Sequence, residues 1–254
     1  MHPILFSFGN FTVYTYGLFV AVGFFTATLY VAKTVKSDII SQDNLYSLFL
    51  YTIVAAIVGA RILYILTNLG EFAGAPLDIF KIWQGGLVYY GGFIVAVLYV
   101  IWYAKRKKIP LARLSDAIAP ALGLGHFFGR LGCFFAGCCY GKECSLPWSV
   151  VFNNTDTLAL RGVHLHPVQI YEALGNLMIF VILHFYNKKE HIAGKTFALY
   201  LIIYAVLRFS LEFFRGDFRG ATFAGLSIAQ LVSIILLAAG SIIILRANKK
   251  WKKK

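Results

Sequence analysis

Charged residues are scarce in this chain. Asp, Glu, Lys and Arg make up 14% of its 254 residues, whereas a soluble domain has about 25%. Hydrophobic residues make up 59% and occur in long blocks, several of them close to the length of about 20 residues that a bilayer-spanning helix needs. This deficit of charge excludes an ordinary soluble domain and predicts an all-α integral membrane protein.

Acidic residues are especially few. The chain has 11 Asp and Glu against 24 Lys and Arg, which gives a formal net charge of +13. An excess of basic over acidic residues is also found in nucleic-acid-binding proteins. Here, however, the basic residues lie between the apolar blocks, where they set membrane orientation and meet anionic lipid head groups. We therefore expect no nucleic-acid partner.

The first apolar block lacks the features of a cleaved signal peptide. The stretch from Phe11 has neither a basic segment before it nor an Ala-x-Ala cleavage site, so we interpret it as a retained helix. The chain also lacks internal repeats, low-complexity segments and a separate soluble region. These features predict one transmembrane domain over residues 1–254.

We predict about seven transmembrane helices from the lengths of the apolar blocks. The longest segments between them, about 67–86 and 136–167, contain aromatic residues, Gly and Pro. We expect these two segments to lie along the outer membrane interface as short arms. The predicted spans are 13–31, 45–66, 87–103, 117–135, 168–186, 196–213 and 226–245.

The basic residues are distributed unevenly between the two sides of this arrangement. The loops after the first, third and fifth predicted spans and the segment after the seventh hold sixteen of the 24 Lys and Arg residues. Loops rich in Lys and Arg stay in the cytoplasm. The pattern therefore predicts an N-terminus outside and a cytoplasmic C-terminus, which agrees with an odd number of spans.

Five charged side chains fall inside predicted spans, in the half that faces outward. A charge within a bilayer is costly, so each one marks a candidate functional site. Arg208 and Glu212 share one helix face with Tyr204, since the three are spaced one turn apart. Guanidinium groups match the oxygens of a phosphate with a fork of donors, which favours a phosphate site. The five charges are Arg61, Arg130, Glu172, Arg208 and Glu212.

Each of these features also has a structural interpretation. Arg208 and Glu212 would simply pair with one another, and Arg61 would snorkel or cap backbone carbonyls. The four glycines between His126 and Gly141 allow either a cavity-lining break in the helix or close helix packing. The clustering of several arginines at one membrane face favours the functional interpretation.

The four cysteines fall within twelve residues on the predicted outward side. Disulfides are permitted there, and one or two structural disulfides are the favoured state. Buried thiols, a zinc site completed by a histidine, and a catalytic thiol are the alternatives. Because the chain has no CxxC pair, no metal ligand is assigned. The cysteines are Cys133, Cys138, Cys139 and Cys144, and the histidines are His126, His164 and His166.

Short motifs are spread over nearly the whole chain. In order, they are Tyr16-Gly17, Gly59-Ala60-Arg61, Gly129-Arg130 through Gly141, Leu146-Pro147-Trp148, His166-Pro-x-Gln169-x-Tyr171-Glu172, Tyr204-x3-Arg208-x3-Glu212-Phe-Phe-Arg215 and Leu226-Ser227-x2-Gln230. In their order and spacing these motifs resemble those of the prolipoprotein diacylglyceryl transferase family.

The resemblance implies a reaction. Such a transferase moves diacylglyceryl from phosphatidylglycerol to the lipobox cysteine of a preprolipoprotein signal peptide, forming a thioether and releasing glycerol-1-phosphate. It implies a multi-pass protein of the bacterial cytoplasmic (inner) membrane that uses no cofactor. Two alternatives are a related transferase with a different acceptor, and a catalytically silent lipid-binding or transport protein.

The matched motifs imply site residues. Arg130 and Arg208 would bind the phosphate and stabilise the departing glycerol phosphate, while Glu172 and Glu212 would hold these arginines. The expected catalytic residues are Arg130, Arg208, Tyr90, Tyr16 and Glu212. The expected substrate-binding residues are Arg61, Tyr204, Glu172, Gly141, Cys133, Cys138, His166 and Gln169.

The chain departs from the family pattern at four positions. Tyr90 stands where the family has a histidine before Gly-Gly, and Cys138 stands where it has a glutamate. Cys133 and Ala136 replace two asparagines. Tyr90, or a thiolate such as Cys138, is then the candidate to take the proton of the acceptor.

Overall fold

Helices make up most of the protein in this computed structural model, which describes residues 1–9, 11–72, 74–82, 85–217 and 225–251. The predicted cytoplasmic residues 252–254 lie outside the described part. The chain divides into two compact units. The first unit comprises Met1–Thr34 and Ser115–Lys254, and the second unit comprises Val35–Leu114.

The elements follow one another in a simple order. Two strands, β1 (Ile4–Phe8) and β2 (Phe11–Tyr14), precede helix α1 (Thr15–Thr34). The helices α2 (Gln42–Thr67), α3 (Leu69–Phe72) and α4 (Tyr89–Arg106) follow, with a 3-10 helix at Pro76–Phe80. Helix α5 (Leu111–Ala136) leads to the short strands β3 (Val150–Val151) and β4 (His164–Leu165). The chain continues as α6 (Val168–Asn187), α7 (Lys195–Leu211), a 3-10 turn at Glu212–Phe214, and α8 (Ile228–Trp251).

Within the described part of the chain, six helices are long and apolar enough to cross a membrane, judged by length and composition. They are α1, α2, α5, α6, α8 and α7 with its extension to Phe214, and they confirm the predicted all-α membrane protein. The seventh predicted span, 87–103, coincides with α4. Helix α4 begins with Tyr-Tyr-Gly-Gly and ends with Lys105 and Arg106, so its crossing of the bilayer stays a prediction.

The connecting segments contain structure that the apolar pattern did not reveal. Strand β2 pairs antiparallel with β1, so α1 begins at Thr15 and not at residue 13. The outer segment 67–86 contains α3 and the 3-10 helix. The structure describes every residue of the outer segment 137–167, and none of them is helical. Within this segment, strands β3 and β4 pair in an antiparallel arrangement.

Close helix packing organises the second unit. Gly59 of α2 and Gly91 of α4 face each other so tightly that a Cβ on Gly59 would lie 2.6 Å from the Gly91 carbonyl oxygen. Small residues of this kind allow two membrane helices to approach along their backbones. The contact fixes α4 against α2 near the first turn of α4.

The first unit has an apolar core and a polar end. Ala119, Ile179, Leu183 and Tyr200 form a buried cluster among α5, α6 and α7. Near it, the Asp116 carboxylate accepts hydrogen bonds from the backbone N–H groups of Gly194 (2.6 Å) and Phe197 (2.9 Å). These are donors at the start of α7 that would otherwise be unpaired. At the opposite end of these helices lie the last turns of α5 and α7 and the first turns of α6.

Candidate active site

Glu172 is the centre of a buried ion-pair cluster in the first unit. Its carboxylate lies 2.8 Å from Nη1 of Arg130, 3.5 Å from Nη1 of Arg208 and 3.6 Å from Nη1 of Arg215. The Glu172 side chain is 3% exposed. Three guanidinium groups on three segments of chain therefore converge on one carboxylate.

Two further carboxylates complete the cluster. Glu212 Oε2 lies 2.6 Å from Nη2 of Arg208, one turn earlier on the chain. Asp217 accepts two hydrogen bonds from Arg215, from Nε and from Nη2, each 2.8 Å long. Each carboxylate orients a guanidinium group, and a planar fork held at two points has little freedom to rotate.

The ion pairs leave several hydrogen-bonding atoms of the cluster unsatisfied. Nη1 of Arg208 and Nη1 of Arg215 are buried, and neither makes a hydrogen bond to the described residues, since both lie 3.5 Å or more from the Glu172 carboxylate. Buried polar atoms in native proteins nearly always have a partner, so an unpaired group points to a water or a ligand. For guanidinium donors, an anion is the matching ligand.

Backbone pairing between three segments brings Arg215 into the cluster. The Lys142 N–H donates to the Phe214 carbonyl (2.8 Å), and the Gly216 N–H donates to the Tyr140 carbonyl (3.1 Å). On its other side the same segment pairs with His166, whose carbonyl accepts from Gly141 (3.1 Å). A Cβ on Gly141 would lie 2.5 Å from that carbonyl oxygen, so only glycine permits this approach.

Gln169 anchors the segment that follows α5. Its side chain is fully buried, and its Nε2 donates to the carbonyl of Cys138 at 2.9 Å. The sequence predicted a substrate-binding role for Gln169. In the structure its amide holds the backbone of the cysteine segment against α6.

Three cysteines meet at the end of α5. The sulfur atoms of Cys133, Cys138 and Cys139 all lie within 4.8 Å of one another. No disulfide joins the four cysteines, all of which the structure describes, in contrast to the disulfides that the outward position favoured. The histidines considered as zinc ligands are not part of this group.

The Cys139 thiol has an unusual electrostatic environment. Hydrogen bonds with Cys133 and Cys138 lower the pKa of the Cys139 thiol, and the cations of Arg215 and Arg130 lower it further, whereas burial acts in the opposite direction. Cys139 also has a left-handed backbone, with φ of 63°. The cluster thus favours a thiolate next to the arginines.

Two predicted tyrosines flank the arginines. The ring of Tyr16, at the start of α1, packs against Gly132 of α5 and lies near Arg130 and the three clustered cysteines. Tyr204 on α7 lies near Arg130, and its ring stacks on Tyr200 with the centroids 5.7 Å apart. Both phenols therefore belong to the same end of the first unit as the guanidinium groups.

His166 forms part of the wall beside the cluster. Its Nδ1 lies 3.4 Å from the hydroxyl of Tyr171, which also accepts a hydrogen bond of 2.7 Å from Nε1 of Trp148. Its ring lies edge-on to Phe214, with the centroids 5.4 Å apart. These contacts connect three of the sequence motifs around the segment 140–142.

Two predicted site residues, Arg61 and Tyr90, belong to the second unit. The Arg61 guanidinium donates to four backbone carbonyls, those of Asp78 (2.5 Å), Ile79 (2.9 Å), Gly85 (2.8 Å) and Gly86 (3.1 Å). This contact set favours the carbonyl-capping interpretation of Arg61. Tyr90 lies on the first turn of α4 and is 55% exposed.

The structure adds residues that the sequence analysis did not assign to the site. Arg215 and Asp217 belong to the ion-pair cluster, and Cys139 belongs to the thiol cluster. Arg215 stood inside a recognised motif, three residues after Glu212, which was a usable signal. Asp217 had no signal of its own, because only the pairing of segments 140–142 and 214–216 brings it into place.

The chain is similar to known proteins over nearly its whole length. A profile of the family described as prolipoprotein diacylglyceryl transferase matches residues 3–246. The phosphatidylglycerol–prolipoprotein diacylglyceryl transferase of Clostridium tetani (strain Massachusetts / E88) is 35% identical over 240 residues, which cover 94% of this chain and 95% of the relative. The transferase 2 of Clostridium perfringens (strain 13 / Type A) is 35% identical over 242 residues, or 95% and 93% of the two chains. That of Bordetella bronchiseptica (strain ATCC BAA-588 / NCTC 13252 / RB50) is 31% identical over 246 residues, or 94% and 92%. This chain belongs to the prolipoprotein diacylglyceryl transferase family.

Proposed function

We propose that this protein transfers the diacylglyceryl group of phosphatidylglycerol to the lipobox cysteine thiol of a preprolipoprotein. The sulfur attacks the glyceryl carbon that bears the phosphate, the carbon–oxygen bond breaks, and glycerol-1-phosphate leaves. The relatives' names identify phosphatidylglycerol and prolipoprotein as the substrates of those proteins. The thioether at the lipobox is the finer step that we infer for this chain.

The observation that supports this proposal most is the convergence of three guanidinium groups on Glu172, two of them buried and each with one unsatisfied donor. Arg208 and Arg215 each offer a buried Nη1 that makes no hydrogen bond to the described residues. Arg130 completes the set at 2.8 Å from Glu172. A phosphodiester is an anion whose oxygens fit such forks, and the membrane around the protein supplies phosphodiesters as lipid.

The same groups would accelerate the reaction. The phosphate gains negative charge as the carbon–oxygen bond breaks, and fixed cations in a dry site stabilise that charge without reorganising. Glu172 and Glu212 would keep Arg130 and Arg208 in position before the lipid arrives. In the resting site a carboxylate lies opposite each arginine and balances its positive charge. The arginines therefore do not need an anion from solution to be stable before the lipid binds.

Tyr16, predicted to be catalytic, and Tyr204, predicted to bind substrate, would supply neutral hydrogen bonds. Tyr16 and Tyr204 lie near Arg130 on opposite helices, where a phenol O–H can donate to a phosphate or glycerol oxygen. Tyr90 lies in the second unit, so its part in the reaction rests on the resemblance alone. Arg61 is proposed to support the second unit through its carbonyl contacts.

Orientation in the cytoplasmic membrane follows from the charges. The site lies at the start of α6 and the end of α7, while the loop between those two helices carries Lys188 and Lys189. The positive-inside rule retains such a loop in the cytoplasm. The site would therefore face outward, where an exported preprolipoprotein is accessible.

A reconstituted assay would test the reaction. Purified protein in phosphatidylglycerol vesicles, given a lipobox peptide, is expected to release glycerol-1-phosphate and to increase the peptide mass by one diacylglyceryl group. A matched peptide with Ser at the lipobox position should remain unmodified. Glycerol phosphate release with another acceptor would indicate a different transferase, and lipid binding without release would indicate a silent binding protein.

A further inference from the structure

The cluster of Cys133, Cys138 and Cys139 has no assigned role in the reaction described above. Cys133 is at the end of α5, and the other two follow the turn that terminates it. Their three sulfur atoms lie within 4.8 Å of one another. In a tetrahedral zinc site with Zn–S bonds of about 2.3 Å, the sulfur atoms are about 3.8 Å apart. Small side-chain rotations would therefore bring the three thiols to ligand spacing.

The backbone holds these thiols in place at some cost. Cys139 adopts φ of 63°, a left-handed conformation that is strained for a residue other than glycine. The Gln169 amide, itself fully buried, holds the carbonyl of Cys138 at 2.9 Å. Strain that the surroundings enforce tends to occur at functional sites, and here it keeps two adjacent cysteines on the same side as Cys133.

Charge balance also fits a metal–thiolate group. Three thiolates and one divalent cation sum to a single negative charge. The cations of Arg215 and Arg130 both interact electrostatically with Cys139, and Arg130 also interacts with Cys133. These guanidinium groups would stabilise the anionic site, whereas they would repel a cation bound by neutral ligands.

We propose that Cys133, Cys138 and Cys139 bind one zinc ion and that its open fourth position takes the thiol of the acceptor cysteine. Catalytic zinc sites have three protein ligands and one open position, and this cluster offers three ligands. The metal-binding part stands alone, and the part concerning the acceptor rests on the proposed function. Cys133 and Cys138, which both depart from the family pattern, would then share one role as zinc ligands.

The chemistry balances without another reactant. The acceptor thiol gives up its proton on coordination, since a metal-bound thiol is deprotonated. The sulfur then forms its bond to the glyceryl carbon as the bond from that carbon to the phosphate oxygen breaks. The departing glycerol phosphate takes up the released proton, and the thioether product, a weaker ligand than a thiolate, dissociates.

Cobalt is the probe for the metal site. The full-length protein, stripped with a chelator and kept reduced in detergent, is titrated with Co²⁺ alone. We expect one ion per chain and a thiolate-to-cobalt charge-transfer band that Zn²⁺ abolishes. Cys133→Ser, Cys138→Ser and Cys139→Ser should each weaken Co²⁺ binding at least tenfold, whereas Cys144→Ser, a matched change in the same segment, should bind as wild type.

A second measurement on the wild-type protein avoids dependence on variants that fold poorly. Zn²⁺ should protect three thiols from a maleimide and leave Cys144 reactive, as counted by mass spectrometry. Absence of the cobalt band, equal labelling of all four thiols with and without Zn²⁺, or a disulfide among the three cysteines in freshly isolated membranes would overturn the metal site.

The acceptor step is tested separately from the proposed function. A lipobox peptide should shift the cobalt spectrum, and its Ser counterpart should not, while chelation should lower transfer at least tenfold and Zn²⁺ should restore it. Transfer at full rate after chelation, or a spectrum that the peptide leaves unchanged, would remove the metal from the reaction but leave the transferase intact. No transfer in any metal state, with the cobalt site present, would instead overturn the proposed function.

Discussion

The buried Glu172 of α6 and the partly buried Arg130 of α5 form an ion pair, with Oε2 and Nη1 2.8 Å apart. The same carboxylate also faces Arg208 and Arg215. Neither charge is stable alone at this depth, since an ion taken out of water costs several kcal/mol unless it is paired. The pair therefore links the end of one helix to the start of the next at the position where we place the lipid phosphate.

Arg130→Lys and Arg208→Lys should each lower turnover at least tenfold, which corresponds to about 1.4 kcal/mol of barrier. Lysine keeps the positive charge but loses the planar fork that matches phosphate oxygens. The measurement is diacylglyceryl transfer in phosphatidylglycerol vesicles. Arg113→Lys is the control, because Arg113 forms an exposed ion pair with Asp38. Wild-type rates for both site variants would refute the phosphate clamp.

Glu172→Gln should destabilise the protein more than Glu212→Gln. Removing one partner of a buried ion pair costs about 3–5 kcal/mol. Among the described residues, Glu172 faces three guanidinium groups and Glu212 faces that of Arg208 only. Thermal unfolding in detergent, followed by gel filtration, measures the difference. The exposed Glu190 supplies a neutral control as Glu190→Gln. Equal melting temperatures for the two site variants would contradict a central position for Glu172.

Arg61→Lys should affect stability more than turnover. Arg61 donates to four carbonyls of one segment, and a lysine, with three donors on one nitrogen, cannot reach them all. We expect a lower melting temperature and a rate per folded molecule that falls less than that of Arg130→Lys. If Arg61→Lys instead lowered the rate as much as Arg130→Lys and left the melting temperature unchanged, a substrate-binding role for Arg61 would be supported.

Tyr90→Phe distinguishes two ways in which the acceptor cysteine can lose its thiol proton, by binding to a metal or by transfer to Tyr90. If the acceptor thiol is deprotonated by binding to a metal, the Tyr90 hydroxyl is dispensable and the rate should stay close to wild type. Tyr89→Phe, on the same turn of α4, is the matched control. A tenfold loss confined to Tyr90→Phe would assign the proton to this phenol.

Cys144 should react with a membrane-impermeant thiol reagent added to intact spheroplasts. It lies in the segment 136–167, which the charge pattern places outside. In a Cys144→Ser background, Glu190→Cys should react only after the membrane is permeabilised, since its loop is predicted to be cytoplasmic. The reverse pattern of labelling would invert the topology and place the whole site in the cytoplasm.

Local sequence patterns predicted the elements and the short-range contacts. Apolar runs near 20 residues long located α2, α5, α6, α7 and α8 because a bilayer requires that length. The pairing of Arg208 with Glu212 was predictable since the two residues are one turn apart. The hairpin β1–β2 was not predicted, because the apolar residues of Phe11–Tyr14 run directly into α1 and continue its hydrophobic block.

Long-range contacts lay beyond such patterns. Glu172 meets Arg130 and Arg215 because three separate segments pack together, and no spacing along the chain encodes that distance. The meeting of Cys133 with Cys138 and Cys139 likewise depends on where α5 ends, since a helix continued past Ala136 would turn the sulfur atoms away from one another. Helix ends are among the least certain features of a sequence prediction.

The carbonyls bound by Arg61 leave its partner segment with an apolar outer surface. Irregular backbone at the membrane is tolerated where its polar groups have partners, and Arg61 satisfies carbonyls on both sides of Lys81. With these groups turned inward, the segment presents Leu77 and Phe80, 75% and 73% exposed, to its surroundings. With its backbone polar groups already paired, a surface of this kind is suited to contact with hydrocarbon and not with water.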